Sequence, residues 1–154
     1  MLAGARTYPK QYLGWSLWPR YSEFGPLAKH LRFINRSSRR LARNLFHAMI
    51  RFGPRLEKKQ SVLFRMVEIG ADLFAMSAAI TKAQLLTRKD PANRGPIELA
   101  DLFCRQTSWR VVVRFEEIFG NEDDRGYRMA QDVIAKKHLW LEEGIAGWEG
   151  KRRA

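Results

Sequence analysis

Glu68 and Asp72 form the carboxylate pair whose spacing in this sequence comes nearest to supporting acid–base chemistry. On a helix, residues four apart lie on the same face, so the two side chains would be neighbours. The surrounding stretch is apolar, and a buried acid usually pairs with a base. Because the chain holds 28 Lys and Arg against 16 Asp and Glu, we expect a salt bridge to Arg65 or to an arginine of another helix rather than general acid–base catalysis.

The other residue types that commonly carry chemistry are scattered. His30, His47 and His138 lie far apart, and no Cys or His spacing is typical of a metal site. The single cysteine, Cys104, is interpreted as a small core residue. No glycine-rich loop follows a strand, so neither a P-loop nor a dinucleotide fingerprint is predicted. We therefore assign no catalytic residue, cofactor-binding residue or metal ligand to this chain.

Positive charge is concentrated in one segment. The net charge is +12, and residues 27–60 hold ten Lys or Arg but one acid, Glu57. Five arginines there follow a helical stripe and form a candidate membrane or partner surface: Arg32, Arg36, Arg39, Arg40 and Arg43. A merely solvated face is the default interpretation, and an anionic membrane or an acidic protein face are the alternatives. Nucleic acid ranks lowest, since no known nucleic-acid-binding module is present.

Apolar residues recur at spacings of three and four from Pro26 onward, which predicts helices. The predicted helices cover residues 27–52, 55–86 and 97–119, and a fourth runs from a cap at Asn121 to about Gly144. The second is apolar on several sides, which is typical of a central, buried helix. In it, Gly70 would let another helix approach closely. The predicted fold is all-α, an antiparallel four-helix bundle-like domain with an irregular aromatic N-terminal arm.

The segment before Pro26 is rich in aromatic residues and broken by prolines. We interpret it as a candidate interdomain arm, which packs on its own bundle or on a partner; its aromatic residues include Tyr12, Trp15, Trp18, Tyr21 and Phe24. The predicted organisation is an arm over 1–26, a helical domain over 27–147 and a basic tail over 148–154. Without an apolar run long enough to span a bilayer, the default location is the cytoplasm.

Three blocks of sequence carry a family resemblance. They are Trp18–Gly25 with Leu31–Phe33, then Ser38–His47, and then Leu56–Gln60 with Arg65–Ala79, the most specific of the three. Together they resemble the C-terminal helical extension of bacterial acyl-CoA dehydrogenases of the long-chain and very-long-chain type. The resemblance spans roughly residues 10–147, nearly the whole chain.

The resemblance implies a flavoprotein of fatty-acid β-oxidation, in which FAD and the acyl-CoA thioester are held by domains that precede this region. A catalytic glutamate there removes the α-proton, and the flavin takes the β-hydride. Glu117–Asn121 is similar to a segment near the flavin in the family, but its first residue is acidic and a glycine is missing. We expect a helix stop there, and no catalytic residue is transferred.

The expected function is therefore an accessory domain without catalysis of its own. Its expected partners are the catalytic acyl-CoA dehydrogenase domains or a catalytic subunit, with a homo-oligomer and a peripheral contact at the inner face of the membrane as further alternatives. The rival interpretation is an independent basic helical module that binds an anionic membrane surface or, with less support, nucleic acid.

Overall fold

A computed structural model describes residues 21–142 of the chain. The described part is helical and contains no strand, which confirms the all-α, bundle-like class. Its helices are α1 (Ala28–Phe52), α2 (Gln60–Lys89), α3 (Gly95–Glu117) and α4 (Asp123–Ile134). Short 3₁₀ segments cover Ser22–Leu27, Gly53–Lys58 and Leu139–Glu142.

Glycines with positive φ lie near both ends of α1, and the stop at Gly53 was predicted from the sequence. Gly25 has a φ of 49° and Gly53 a φ of 50°, values in the left-handed region that favours glycine. The N–H of Gly53 donates to the carbonyl of Met49, which closes the last turn. Pro54 is the second residue of the 3₁₀ segment that follows. The predicted bounds of this first helix are therefore confirmed.

Two helix bounds differ from the prediction by five residues or more. The second helix begins at Gln60 rather than Arg55, because the intervening residues form a separate 3₁₀ turn that ends at the non-helical Lys59. The fourth ends at Ile134 rather than near Gly144. There Lys136 adopts a φ of 59°, and the N–H of Lys137 donates to the carbonyl of Asp132 at 3.0 Å. This pattern is a helix C-cap formed without glycine, which sequence signals do not reveal.

The described residues fall into two compact units, 21–119 and 120–142. In the first, α2 and α3 are antiparallel, since Arg65 pairs with Glu117 near one end and Asp72 with Arg110 further along. Fully buried side chains of the two helices form the centre of the core: Ile69, Met76, Ile80, Cys104 and Val111. Helix α1 packs on this pair. In the second unit, α4 has no buried residue.

The expected close approach at Gly70 is absent. A Cβ built there would lie 3.9 Å from the Cδ2 of Leu41, an ordinary van der Waals contact with a side chain. The backbone of α1 is therefore not packed tightly against this glycine, and Gly70 lines a groove between α1 and α2 instead.

Candidate docking surface

The carboxylate pair on α2 belongs to an ion-pair network that joins α2 to α3. Arg114 Nε donates to Glu68 at 2.9 Å, and its Nη1 donates to Asp72 at 2.5 Å. Arg110 donates to the other oxygen of Asp72 at 3.0 Å. The prediction of a salt bridge to an arginine of another helix is confirmed, while Arg65 pairs with Glu117 instead, at 3.7 Å. With its oxygens held in this way, the pair has a structural role.

A second ion cluster, which the sequence did not suggest, joins α1 to α3 around Asp101. The Lys29 ammonium lies 2.7 Å from Asp101 Oδ1, and Nε2 of the buried His30 lies 2.8 Å from the same oxygen. Arg105 contacts the second oxygen at 2.6 Å. The hydrogen bond from Lys29 holds the pKa of the Asp101 carboxyl well below its ordinary value. Hydrogen bonds from His30 and Arg105 lower this pKa further, while partial burial acts in the opposite direction. The cluster fixes the start of α3 against the start of α1.

The remaining candidate groups lack the geometry of a reactive site. Cys104 is fully buried, and burial, with a smaller effect from the Asp101 charge, raises the pKa of its thiol to about 11. His30 is engaged by Asp101. Among residues 21–142, no three His, Cys, Asp or Glu side chains are grouped so that they could hold a metal ion.

The segment similar to a flavin-adjacent motif lies at the end of α3, where a helix stop was expected. Glu117 is the last residue of α3 and pairs with Arg65. Ile118 is fully buried in the core, and the Phe119 ring lies under the Arg51 guanidinium, 5.5 Å from its centroid. These three side chains make contacts within the first unit.

The basic surface is the side of α1 opposite the core. Arg32, Arg36, Arg39 and Arg43 fall within one narrow arc of the helix. The first three are exposed and Arg43 is partly buried. Helix α1 contains no acidic residue. Arg40, the fifth predicted member, instead places its guanidinium 4.4 Å from the centroid of Phe115 on α3. The stripe therefore consists of four aligned arginines and one turned toward α3.

Of the predicted aromatic arm, Tyr21 and Phe24 lie within the described residues. Their rings meet edge to face at 6.3 Å, and the Tyr21 hydroxyl accepts a hydrogen bond from Asn35 on α1 at 3.2 Å. Phe24 packs against the core. These two residues therefore pack on their own bundle. Tyr12, Trp15 and Trp18 lie outside the described residues.

The side of α2 that faces away from the core is apolar and exposed. We call this the outer face of α2; it comprises Phe64, Val67, Ala71, Phe74 and Ala78. Phe64 is 64% exposed, Val67 66% and Phe74 76%. The prediction of a helix buried on several sides is therefore wrong for this face. A contiguous patch of large apolar side chains exposed to solvent is typical of an interaction surface.

A groove runs along each side of the outer face. The α1–α2 groove has a volume of about 430 Å³ and is lined in part by Leu41, Leu45, Gly70 and Phe74. The α2–α3 groove has a volume of about 400 Å³ and is lined mainly by small or apolar side chains. The outer face and its two grooves form one broad, largely uncharged surface on the first unit.

The chain is similar in sequence to part of several longer proteins. The chain is 46% identical over 143 residues to proteins described as probable acyl-CoA dehydrogenase FadE10, from Mycobacterium bovis and from two strains of Mycobacterium tuberculosis. The aligned residues are 92% of this chain but 22% of each relative, and they lie in the C-terminal part. The chain matches the C-terminal part of an acyl-CoA dehydrogenase. The resemblance predicted from the sequence is thereby confirmed, and the chain spans about a fifth of the length of the curated relatives it matches.

No protein-family model matches the chain, and no solved structure matches it. None of the helices in the described part combines the length and the apolar character that crossing a bilayer requires.

Proposed function

We propose that this chain is the C-terminal accessory domain of a FAD-dependent acyl-CoA dehydrogenase and that it docks on the catalytic part through the outer face of α2. In this proposal, the FAD and the acyl-CoA thioester of fatty-acid β-oxidation are bound by the preceding domains. The chain contributes structure and association rather than a catalytic group.

One observation carries the proposal. The chain is similar to the end of a much longer enzyme, and a row of large apolar side chains on its central helix is left uncovered by residues 21–142. Burying one such side chain is worth about 1.5–3 kcal/mol, so leaving several exposed forgoes a substantial stabilisation. In the whole enzyme, the preceding domains supply the surface that covers them. The core and the ion-pair networks are meanwhile formed within the chain.

The test is a full-length chimera in which this chain replaces the matched region of Mycobacterium tuberculosis FadE10. Phe74→Glu puts a charge in the middle of the outer face, whereas the matched control Ile50→Glu puts one on α1, where Ile50 is 67% exposed. Both variants of the isolated chain should stay folded, because an exposed site tolerates such changes within about 0.5 kcal/mol.

In the chimera, we expect Phe74→Glu to release the domain, so that limited proteolysis at the junction is at least about tenfold faster; this corresponds to a loss of about 1.4 kcal/mol. Ile50→Glu should leave the rate unchanged. Equal cleavage rates for Phe74→Glu and the unmodified chimera would rule out docking through this face.

The basic side of α1 supports a second role, contact with an anionic membrane surface. Four arginines share one arc of a helix that carries no acid. Each basic residue near an anionic bilayer contributes about 1 kcal/mol, an effect that salt screens. Because this side is opposite the core of the unit, a membrane could contact it while the outer face of α2 is docked elsewhere.

Vesicles of phosphatidylcholine with and without phosphatidylglycerol test the membrane role. Arg36→Gln should weaken binding to the anionic vesicles about fivefold, the equivalent of about 1 kcal/mol. The control Arg40→Gln removes the same charge where the guanidinium lies over Phe115, and it should have a smaller effect. Equal losses for the two variants, or a preference for short duplex DNA over the vesicles at matched salt, would contradict this role.

A further inference from the structure

The α2–α3 groove has a chemical character of its own, distinct from the outer face. Small side chains spaced by four residues on α2, Ala75, Ala79 and Ala83, lie along it, and Ala100 of α3 completes the alanine lining. Leu86 and Leu99 also line the groove, and Leu99 is 70% exposed. From Ala75 to Leu86 the groove follows α2 for about 16 Å, or three helical turns.

Lys82 is the only charged residue among those that line this groove. It is exposed, and no ion pair joins its ammonium to any side chain of residues 21–142. Earlier on α2, outside this groove, the acids are paired within the unit: Asp72 pairs with Arg110 and Arg114, while Glu68 pairs with Arg114. The groove therefore offers an apolar channel with a single available cation.

The shape and the chemistry of the groove favour a helix as its occupant. An irregular segment would bring backbone N–H and C=O groups that need partners, and apolar side chains with one ammonium cannot satisfy them. A helix satisfies its own backbone, and its side-chain ridge fits the space between two helices where the lining residues are small. A carboxylate on that helix would complement Lys82.

We propose that the α2–α3 groove receives a helix from the preceding part of the enzyme polypeptide and that a carboxylate of that helix forms an ion pair with Lys82. This inference rests on the proposed function, and it adds a second contact whose partner has a defined chemistry. About four-fifths of the length of the relatives lies outside the matched region, and this part provides the source of the helix.

Carbodiimide crosslinking of the full-length chimera tests the pair directly. The reagent joins an amine to a carboxylate only where the two groups are in ion-pair contact, and peptide mass spectrometry then identifies the carboxylate. We expect a crosslink from Lys82 to an Asp or Glu of the preceding part. Lys82→Arg keeps the charge but lacks the amine, so the crosslink should vanish while the junction stays as resistant to protease as before.

Charge reversal supplies the functional readout. Lys82→Glu should speed cleavage at the junction about tenfold or more, because it replaces an attractive interfacial charge pair with two like charges. The control Lys58→Glu makes the same charge change in the exposed segment between α1 and α2 and should have no effect. In the isolated chain both variants should keep the helical content of the unmodified protein.

The outcomes separate this inference from the proposed function. If Phe74→Glu releases the domain but Lys82→Glu does not, and Lys82 gives no crosslink, docking through the outer face stands and the helix in the α2–α3 groove is refuted. If neither variant releases the domain, both proposals fail. A Lys82 crosslink to a carboxylate of this chain's own residues would also overturn the inference.

Discussion

Arg114 on α3 holds Asp72 on α2 through an Nη1–carboxylate contact of 2.5 Å, in a position where the Asp72 side chain is 16% exposed. The same guanidinium contacts Glu68 at 2.9 Å. Glu68 lies one helical turn earlier on α2, and its side chain is 54% exposed. The two acids thus join α2 to α3 through ion pairs, and they differ in burial.

This difference predicts unequal effects of removing the two acids. Asp72→Ala should lower the free energy of unfolding by about 1–3 kcal/mol, because it leaves two guanidinium groups without their partly buried partner. Glu68→Ala should cost less than about 1 kcal/mol, as is usual for an exposed ion pair. Urea unfolding followed by circular dichroism measures both, and a larger loss for Glu68→Ala would contradict the assigned network.

Asp101 makes the stability depend on pH in a defined direction. Because its pKa is depressed in the folded chain, ionised Asp101 stabilises the fold fully above the ordinary carboxyl value of about 3.8. That contribution disappears as the pH falls from this value toward the lower pKa of the folded state. The pH dependence therefore lies on the acidic side.

The matched variant is Asp101→Asn. At pH 7 it should be less stable than the unmodified chain by about 1–3 kcal/mol, the usual worth of hydrogen bonds to a charged group. The difference should persist at pH 5 and shrink below pH 3.8. A stability difference that grew as the pH was lowered would contradict the geometry around Asp101.

The thiol of Cys104 should be inert in the folded chain. It is fully buried and its pKa is raised to about 11, so at pH 8 almost none of it is the reactive thiolate. A chromogenic disulfide reagent should label it only at the rate at which the chain unfolds, and denaturant should make labelling complete within the mixing time. Fast labelling of the native protein would contradict the burial of Cys104.

Gly70 offers a stabilising substitution. With 3.9 Å between a built Cβ and Leu41, Gly70→Ala should raise the free energy of unfolding by about 0.5–1 kcal/mol, since alanine restricts the unfolded chain and favours helix. Ala78→Gly, on the exposed outer face of α2, should lower it by a similar amount. A destabilised Gly70→Ala variant would show that α1 lies closer to α2 than the structure has it.

Sequence reasoning reached the parts of this protein that depend on local signals. Apolar periodicity and Gly53 predicted α1 within one residue, and the excess of arginine predicted the salt bridges of the α2 acids. The early end of α4 was not predicted, because Lys136 adopts a left-handed conformation that the sequence usually signals with glycine. Similarly, the Asp101 cluster joins residues 71 positions apart, a pairing that no local spacing reveals.

The outer face of α2 shows a different limit. A helix that is apolar all round is normally buried all round, and this expectation holds for Ile69 but not for Phe74. The sequence shows that this face of α2 is apolar. Only the structure shows that the described residues leave it exposed to solvent. The family resemblance, confirmed by the match to the C-terminal part of longer relatives, supports our proposal that preceding domains cover this face.

The most direct test of the central claim, an accessory domain without catalysis of its own, is the flavin absorbance of the purified chain measured with acyl-CoA-dependent reduction of an artificial electron acceptor. We predict no bound flavin and no turnover by the chain alone. Stoichiometric FAD with turnover would contradict the account, because the catalytic site would then lie within this chain.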